Sequence, residues 1–404
     1  MSIVTINQKE FHVESGKNYS LDVELLNLAP DSATKPATWK NAVPYGDIRD
    51  YFSDDDIKKH ERGEEVEADG YLKRAIFDKL DFLLDARKYR TVNAGAINPG
   101  WDNTNNIFCE PIKFPAGMFI FRDNHWLTAP ISLAGSAGFN TVFKYLGMTD
   151  FISVIGHFAY KREIFQATRG EISNIKIISV GSMERNACLI NRVGVLHNHW
   201  IEKCHLTMFG DPAGWSRMIG ASKIKDYKLK ERFLAYGFGD FTLPVIDGKK
   251  VEDHDSWQLE SYTVNNHIEG GNVGIEIIGR NCLVAGNATD YCEVAFFSPN
   301  LQKSRVDNNI FSGEGEDPKQ KTLAGILISG FGNTFRNTIL SYDVGIYTQG
   351  YDNNFYGEDY TDVTTTRGTF FTMPFDLRDW KKGEVRTATK GGLKKYYERS
   401  HIKV

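Results

Sequence analysis

Several acids in this 404-residue chain stand where acid–base chemistry could be built. Glu276 lies between Ile275 and Ile277, inside an otherwise apolar run. Glu293 and Asp343 each precede a valine-led apolar segment, and Asp362 precedes Val363. Asp253, His254 and Asp255 stand just before Trp257, so two carboxylates, an imidazole and an indole fall within five residues. Trp215 lies two residues before Arg217. Paired carboxylates are the apparatus of glycosidic-bond hydrolysis, one group protonating the leaving oxygen and the other acting as base or nucleophile. An indole can stack on a sugar ring, and an adjacent guanidinium can hold an acidic sugar's carboxylate. Glu276, Glu293, Asp343, Asp255 and Asp253 are therefore the candidate catalytic residues. Trp215, Arg217, Trp257 and Tyr347 are the candidate substrate-binding residues.

These residues must be positioned by a repeat. Val273–Gly279, Val294–Asn300, Ala324–Gly330 and Val344–Gly350 share a small second residue, an apolar third residue and a final Gly or Asn. Their starts are 21, 30 and 20 residues apart. A fifth segment, Val193–His199, begins 80 residues before Val273, which is four periods of 20. Self-similarity at this period marks a solenoid whose coils bury their apolar faces only by stacking. Alternation along each segment makes the units strands and the solenoid a parallel β-helix. Strict alternation places residues one, three and five inward and two, four and six outward. Position four then forms an exposed column of Glu276, Phe297, Leu327 and Tyr347, and the position before each strand a second column of Asn272, Glu293, Leu323 and Asp343, extended by Asp362. With coils about 4.8 Å apart, Asp343 and Asp362 form a one-coil pair at about 5 Å, and Glu293 and Asp343 a two-coil pair at about 9.6 Å. These are close to the separations of retaining and inverting hydrolases respectively.

The net charge of −4 provides no global basic footprint for nucleic acid. The five cysteines, Cys109, Cys188, Cys204, Cys282 and Cys292, have no close pairing and read as small buried hydrophobes of a chain made in a reducing compartment. His197 and His199 share a parity that points both inward, as core histidines rather than metal ligands. No HExxH, GxSxG, phosphate-loop or dinucleotide motif is present, and neither metal nor cofactor is expected. The polar N-terminus and the absence of a long apolar run imply synthesis in the cytoplasm without signal peptide or membrane span. Residues 1–68 read as a head or adaptor, 69–370 as the β-helix with an inserted loop around 211–260, and 371–404 as a basic terminal cap. Leu72, Ala75, Ile76, Leu80, Leu83 and Leu84 recur at helical spacing from Asp69, an amphipathic helix of about four turns suited to covering the solenoid's open end.

After that helix come Ile112–Phe121 with its Pro-Ala-Gly turn, Leu127–Leu133, a glycine-rich turn and Thr141–Tyr145. In this order and spacing, over roughly residues 69–363, the chain resembles the pectate-lyase-like right-handed parallel β-helix superfamily, in the branch of bacteriophage tailspikes and polysaccharide depolymerases. It departs where many relatives carry Gly-Asp-Gly with paired Asp before the helix, having Glu67-Ala-Asp-Gly70 instead. The resemblance implies an all-β, single-stranded solenoid with an N-terminal capping helix. It also implies an endo-acting enzyme on bacterial surface glycan, a homotrimer, and attachment to a virion that carries the protein outside the cell. Hydrolase and lyase chemistry both remain open, hydrolase being preferred for the richness in Asp and Glu. The rivals are a fructan- or alginate-type enzyme on the same fold and a non-catalytic glycan-binding fibre.

Overall fold

The computed structural model describes residues 2–6, 9–13, 46–93, 111–128, 131–160, 163–166, 170–181, 183–184, 187–209, 216–224, 236, 241–242, 245–246, 249–250, 257–313 and 322–369. Among them the chain is a parallel β-helix. One sheet stacks strands His125–Thr128, Ile152–Ile155, Cys188–Val193, Arg217–Ser222, Val273–Arg280, Val294–Gln302, Thr322–Phe331, Tyr342–Tyr351 and Thr365–Thr369, one per coil. A second sheet takes two strands from most coils, such as Trp200–Glu202 with His205–Met208 and Tyr262–Val264 with His267–Glu269. The corner between those two strands needs a left-handed residue. Asn174, Lys203, Asn265 and Asn308 take φ of 56°, 50°, 57° and 54° there, and Gly286 takes 67°.

Behind these corners runs a ladder of buried asparagines. The Nδ2 of Asn287 donates to Thr263 O at 2.9 Å and to Asn309 Oδ1 at 2.8 Å, while its Oδ1 accepts from the backbone N–H and the Nδ2 of Asn266. Asn309 repeats the pattern onto Asn337. Each amide thus satisfies groups in neighbouring coils that would otherwise be buried unpaired.

Val273, Val294, Ala324 and Val344 lie side by side in register, as the four repeat segments require. The fifth segment is out of phase. Cys188 and Arg217, not Val193, occupy the Val273 column, and only two coils separate Cys188 from Val273. The long stretch between Ser222 and Trp257 supplies the extra residues, so four periods of sequence are not four coils.

The alternation also breaks. A Cβ on Gly325 would stand 2.5 Å from Ile339 Cγ2, and one on Gly345 2.5 Å from Tyr360 Cε1, so the small second residue faces a crowded interior. Ile275, Phe296, Ile326 and Ile346, one residue later, belong to the same core. Positions two and three therefore both point inward.

Helix α1 spans Asp54–Glu61, capped by the Ser53 hydroxyl. Helix α2 spans Asp69–Asn93, longer than the expected four turns. Its Leu72, Ala75, Ile76, Leu80 and Leu83 join the core of the first coils, where Phe114 and Phe143 meet edge to face at 4.6 Å. The Asp69 carboxylate ties this helix to the first coil by accepting from the Arg122 and Asp123 N–H groups and pairing with His125 Nε2 at 2.7 Å. Cys188, Cys204, Cys282 and Cys292 are buried and free; Cys109 lies outside the described residues.

Candidate functional site

The position-four column is not exposed. Glu276 has 0% of its surface accessible, and Phe297, Leu327 and Tyr347 are buried beside it in register. Arg217, in the Val273 column, is 3% exposed and its Nη1 donates to Glu276 Oε2 at 2.7 Å. That oxygen also accepts from the Ala221 N–H at 3.1 Å. Positions one and four thus share a face, because two inward residues stand between them. Asp150 continues the polar cluster, accepting from the Cys188 N–H at 2.7 Å and Asn191 Nδ2 at 2.9 Å. The solvated acid expected at Glu276 is instead half of a buried ion pair. The sugar-binding cation expected at Arg217 is the other half, and Tyr347 is no open stacking surface.

The second column keeps its register. Glu293, Leu323 and Asp343 each precede residues paired across successive coils, placing the two acids two coils apart, about 9.6 Å along the stack. Both acids are half-buried, and Leu323 between them is fully buried. Burial pushes the Glu293 carboxyl up from its ordinary 4.5 to about 7. Asp362 leaves this column: Val344 pairs with Thr365, which sets Asp343 against Thr364, and Asp362 is an exposed turn residue with φ 53°. The expected one-coil pair is therefore absent.

Trp257 is half-buried at the start of strand Trp257–Leu259. Trp215, Asp253 and Asp255 lie outside the described residues. His199 is buried against Arg192, whereas His197 is only half-buried, so the two do not share an inward environment.

A cluster that the sequence reading passed over lies on the second sheet. His205 and His267, one coil apart in register, stack with ring centroids 4.6 Å apart. Glu269 Oε2 stands 3.2 Å from His205 Nε2 and accepts from the Thr207 hydroxyl at 3.0 Å. His267 Nε2 is 3.4 Å from Glu269 Oε1 and 3.1 Å from Asp290 Oδ2. On the adjoining strands of the same coils, Trp200 and Tyr262 stack at 3.9 Å. The signal was present in Cys204-His-Leu-Thr207, Asn266-His-Ile-Glu269 and Asn287-Ala-Thr-Asp290, three segments that each follow a corner residue and end in a polar side chain.

No family model matches the sequence, and no curated protein does. Among solved structures the chain is similar to the catalytic domain of a GH87 alpha-1,3-glucanase in complex with tetrasaccharides, at 11% identity and a TM-score of 0.32. That similarity covers 74% of this chain and 58% of the glucanase chain, so this protein spans little more than half of that neighbour. It is also similar to the A-module of the Azotobacter vinelandii mannuronan C-5 epimerase AlgE4, at 9% identity and a TM-score of 0.23, over 81% of this chain and 98% of that one.

Proposed function

We propose that this protein is a polysaccharide-cleaving glycoside hydrolase, a depolymerase of the tailspike type acting within bacterial surface glycan. The observation that carries this reading is the Glu293–Asp343 pair, in which a half-buried carboxyl retains its proton near neutrality two coils from a second acid. Glu293 protonates the departing glycosidic oxygen, and Asp343 draws a proton from water attacking the opposite face of the sugar. The separation of about two coils leaves room for that water and favours inversion. A lyase would set Arg217 or a lysine against a uronate, and Arg217 is buried in its ion pair with Glu276. This supports hydrolysis over elimination.

The test is a panel of capsular, O-antigen, fructan and uronate polysaccharides, followed by reducing-end release and by the ultraviolet absorbance of unsaturated uronate. Reducing ends without that absorbance are expected. Absorbance rising with reducing ends makes the protein a lyase. Binding without product makes it a glycan-holding fibre, and either result removes Glu293 and Asp343 from the proposed roles.

A further inference from the structure

The cluster on the second sheet has a geometry that hydrogen bonding alone does not account for. His205 Nε2 is itself buried, yet it makes no properly directed hydrogen bond among the described residues, although Glu269 Oε2 stands 3.2 Å away. The two imidazoles are nearly parallel, with 10° between the stacked rings, and one ligand atom each from His205, His267 and Glu269 lies within 4.8 Å of the others. A tetrahedral zinc ion with bonds of about 2.1 Å holds its ligand atoms roughly 3.4 Å apart. The corresponding separations are 3.2 Å for His205 to Glu269, 3.4 Å for His267 to Glu269 and 3.1 Å for His267 to Asp290. The His205 and His267 distances to Glu269 fall near that spacing, while His267 Nε2 and Asp290 Oδ2 hydrogen-bond each other.

We propose that His205, His267 and Glu269 form a three-residue site for a divalent transition metal. Two imidazoles with carboxylate suit zinc, cobalt or nickel, whereas calcium and magnesium prefer all-oxygen shells. Glu269 is oriented by the Thr207 hydroxyl, the kind of outer hydrogen bond that fixes a ligand's direction. Lys176, in the same column one coil before His205, is the nearby cation. His205 and His267 lie in successive coils, on either side of the long stretch between Met208 and Tyr262. A bound ion would clamp those coils across the interruption, and binding to the native state alone raises the unfolding temperature.

The test uses the full-length, tag-free chain stripped of metal and titrated with zinc(II) and, separately, cobalt(II), by calorimetry, visible absorption and thermal unfolding. One ion per chain, cobalt ligand-field bands, and a melting temperature raised by zinc and returned by chelator are expected. His267→Gln and Glu269→Gln should each abolish stoichiometric binding, and Thr207→Ala should weaken it roughly 10–100-fold without changing stoichiometry. Circular dichroism of the metal-free variants separates lost ligation from lost folding. Failure of the wild-type chain to take up one ion overturns the proposal whatever the variants do. So does binding that survives intact in folded His205→Gln/His267→Gln protein, or calcium bound in preference to zinc.

Discussion

A carboxyl that keeps its proton near neutrality makes the folded chain sensitive to alkali. The folded Glu293 titrates at about 7 against an ordinary value of 4.5, so between these pH values the native state holds more proton than the unfolded chain. Stability therefore falls as pH rises through that window. As the acid of a hydrolase, Glu293 also loses its catalytic proton there, and kcat/KM should descend above about pH 7. Glu293→Gln should flatten the dependence of melting temperature on pH between 5 and 8; an unchanged slope would place the raised group elsewhere. Glu276 is held by a different interaction. Its removal as Glu276→Gln leaves the Arg217 guanidinium buried without its counter-charge, costing about 3–5 kcal/mol in denaturant titrations. A cost below roughly 1 kcal/mol, the range of exposed ion pairs, would mean that the pair is solvated after all. Sequence placed acids at both positions but could not distinguish them. The difference lies in what covers each side chain, and Arg217 reaches Glu276 from a residue 59 positions earlier.

At the level of the strand, the repeat was legible because its register is written in valine and glycine at coil spacing. The inward and outward assignments were not. Perfect alternation assumes a flat strand, whereas these strands turn two consecutive residues inward, and glycine is present at the second position because Ile339 and Tyr360 occupy the space. The fifth segment was misphased for a related reason: spacing measures chain length, and an insertion lengthens the chain without adding a coil. The asparagine ladder was also legible in principle, since Asn266, Asn287, Asn309 and Asn337 recur near coil spacing. Its importance should appear on removal. Asn287→Ala strands the Asn266 N–H and Thr263 O, while Asn309 Oδ1 still accepts from the backbone N–H of residue 287, and with each buried orphan costing about 1–3 kcal/mol the loss should be at least ~2 kcal/mol. A denaturant midpoint close to wild type would mean that water replaces the amide.

Across the whole molecule, stacking turns distant sequence into adjacent chemistry. Glu293 and Asp343 align along one sheet, while His205, His267, Glu269 and Asp290 gather on the other, although no short motif joins either group. That is why the fold could be read from periodicity while the histidine cluster showed only as three similar segments: a coil brings together residues whose spacing depends on every loop between them. The long interruption between Ser222 and Trp257 separates two coils of this stack. The central claim is that this frame hydrolyses a polysaccharide with Glu293 as its acid. The most direct measurement is reducing-end release from the polysaccharide panel by wild type and Glu293→Gln side by side, with polymer binding measured for both. Wild type should release reducing ends without unsaturated product, and the variant should lose roughly 10²–10⁴-fold in rate with binding retained. Equal turnover by the variant, or no product from any polymer that wild type binds, would contradict it.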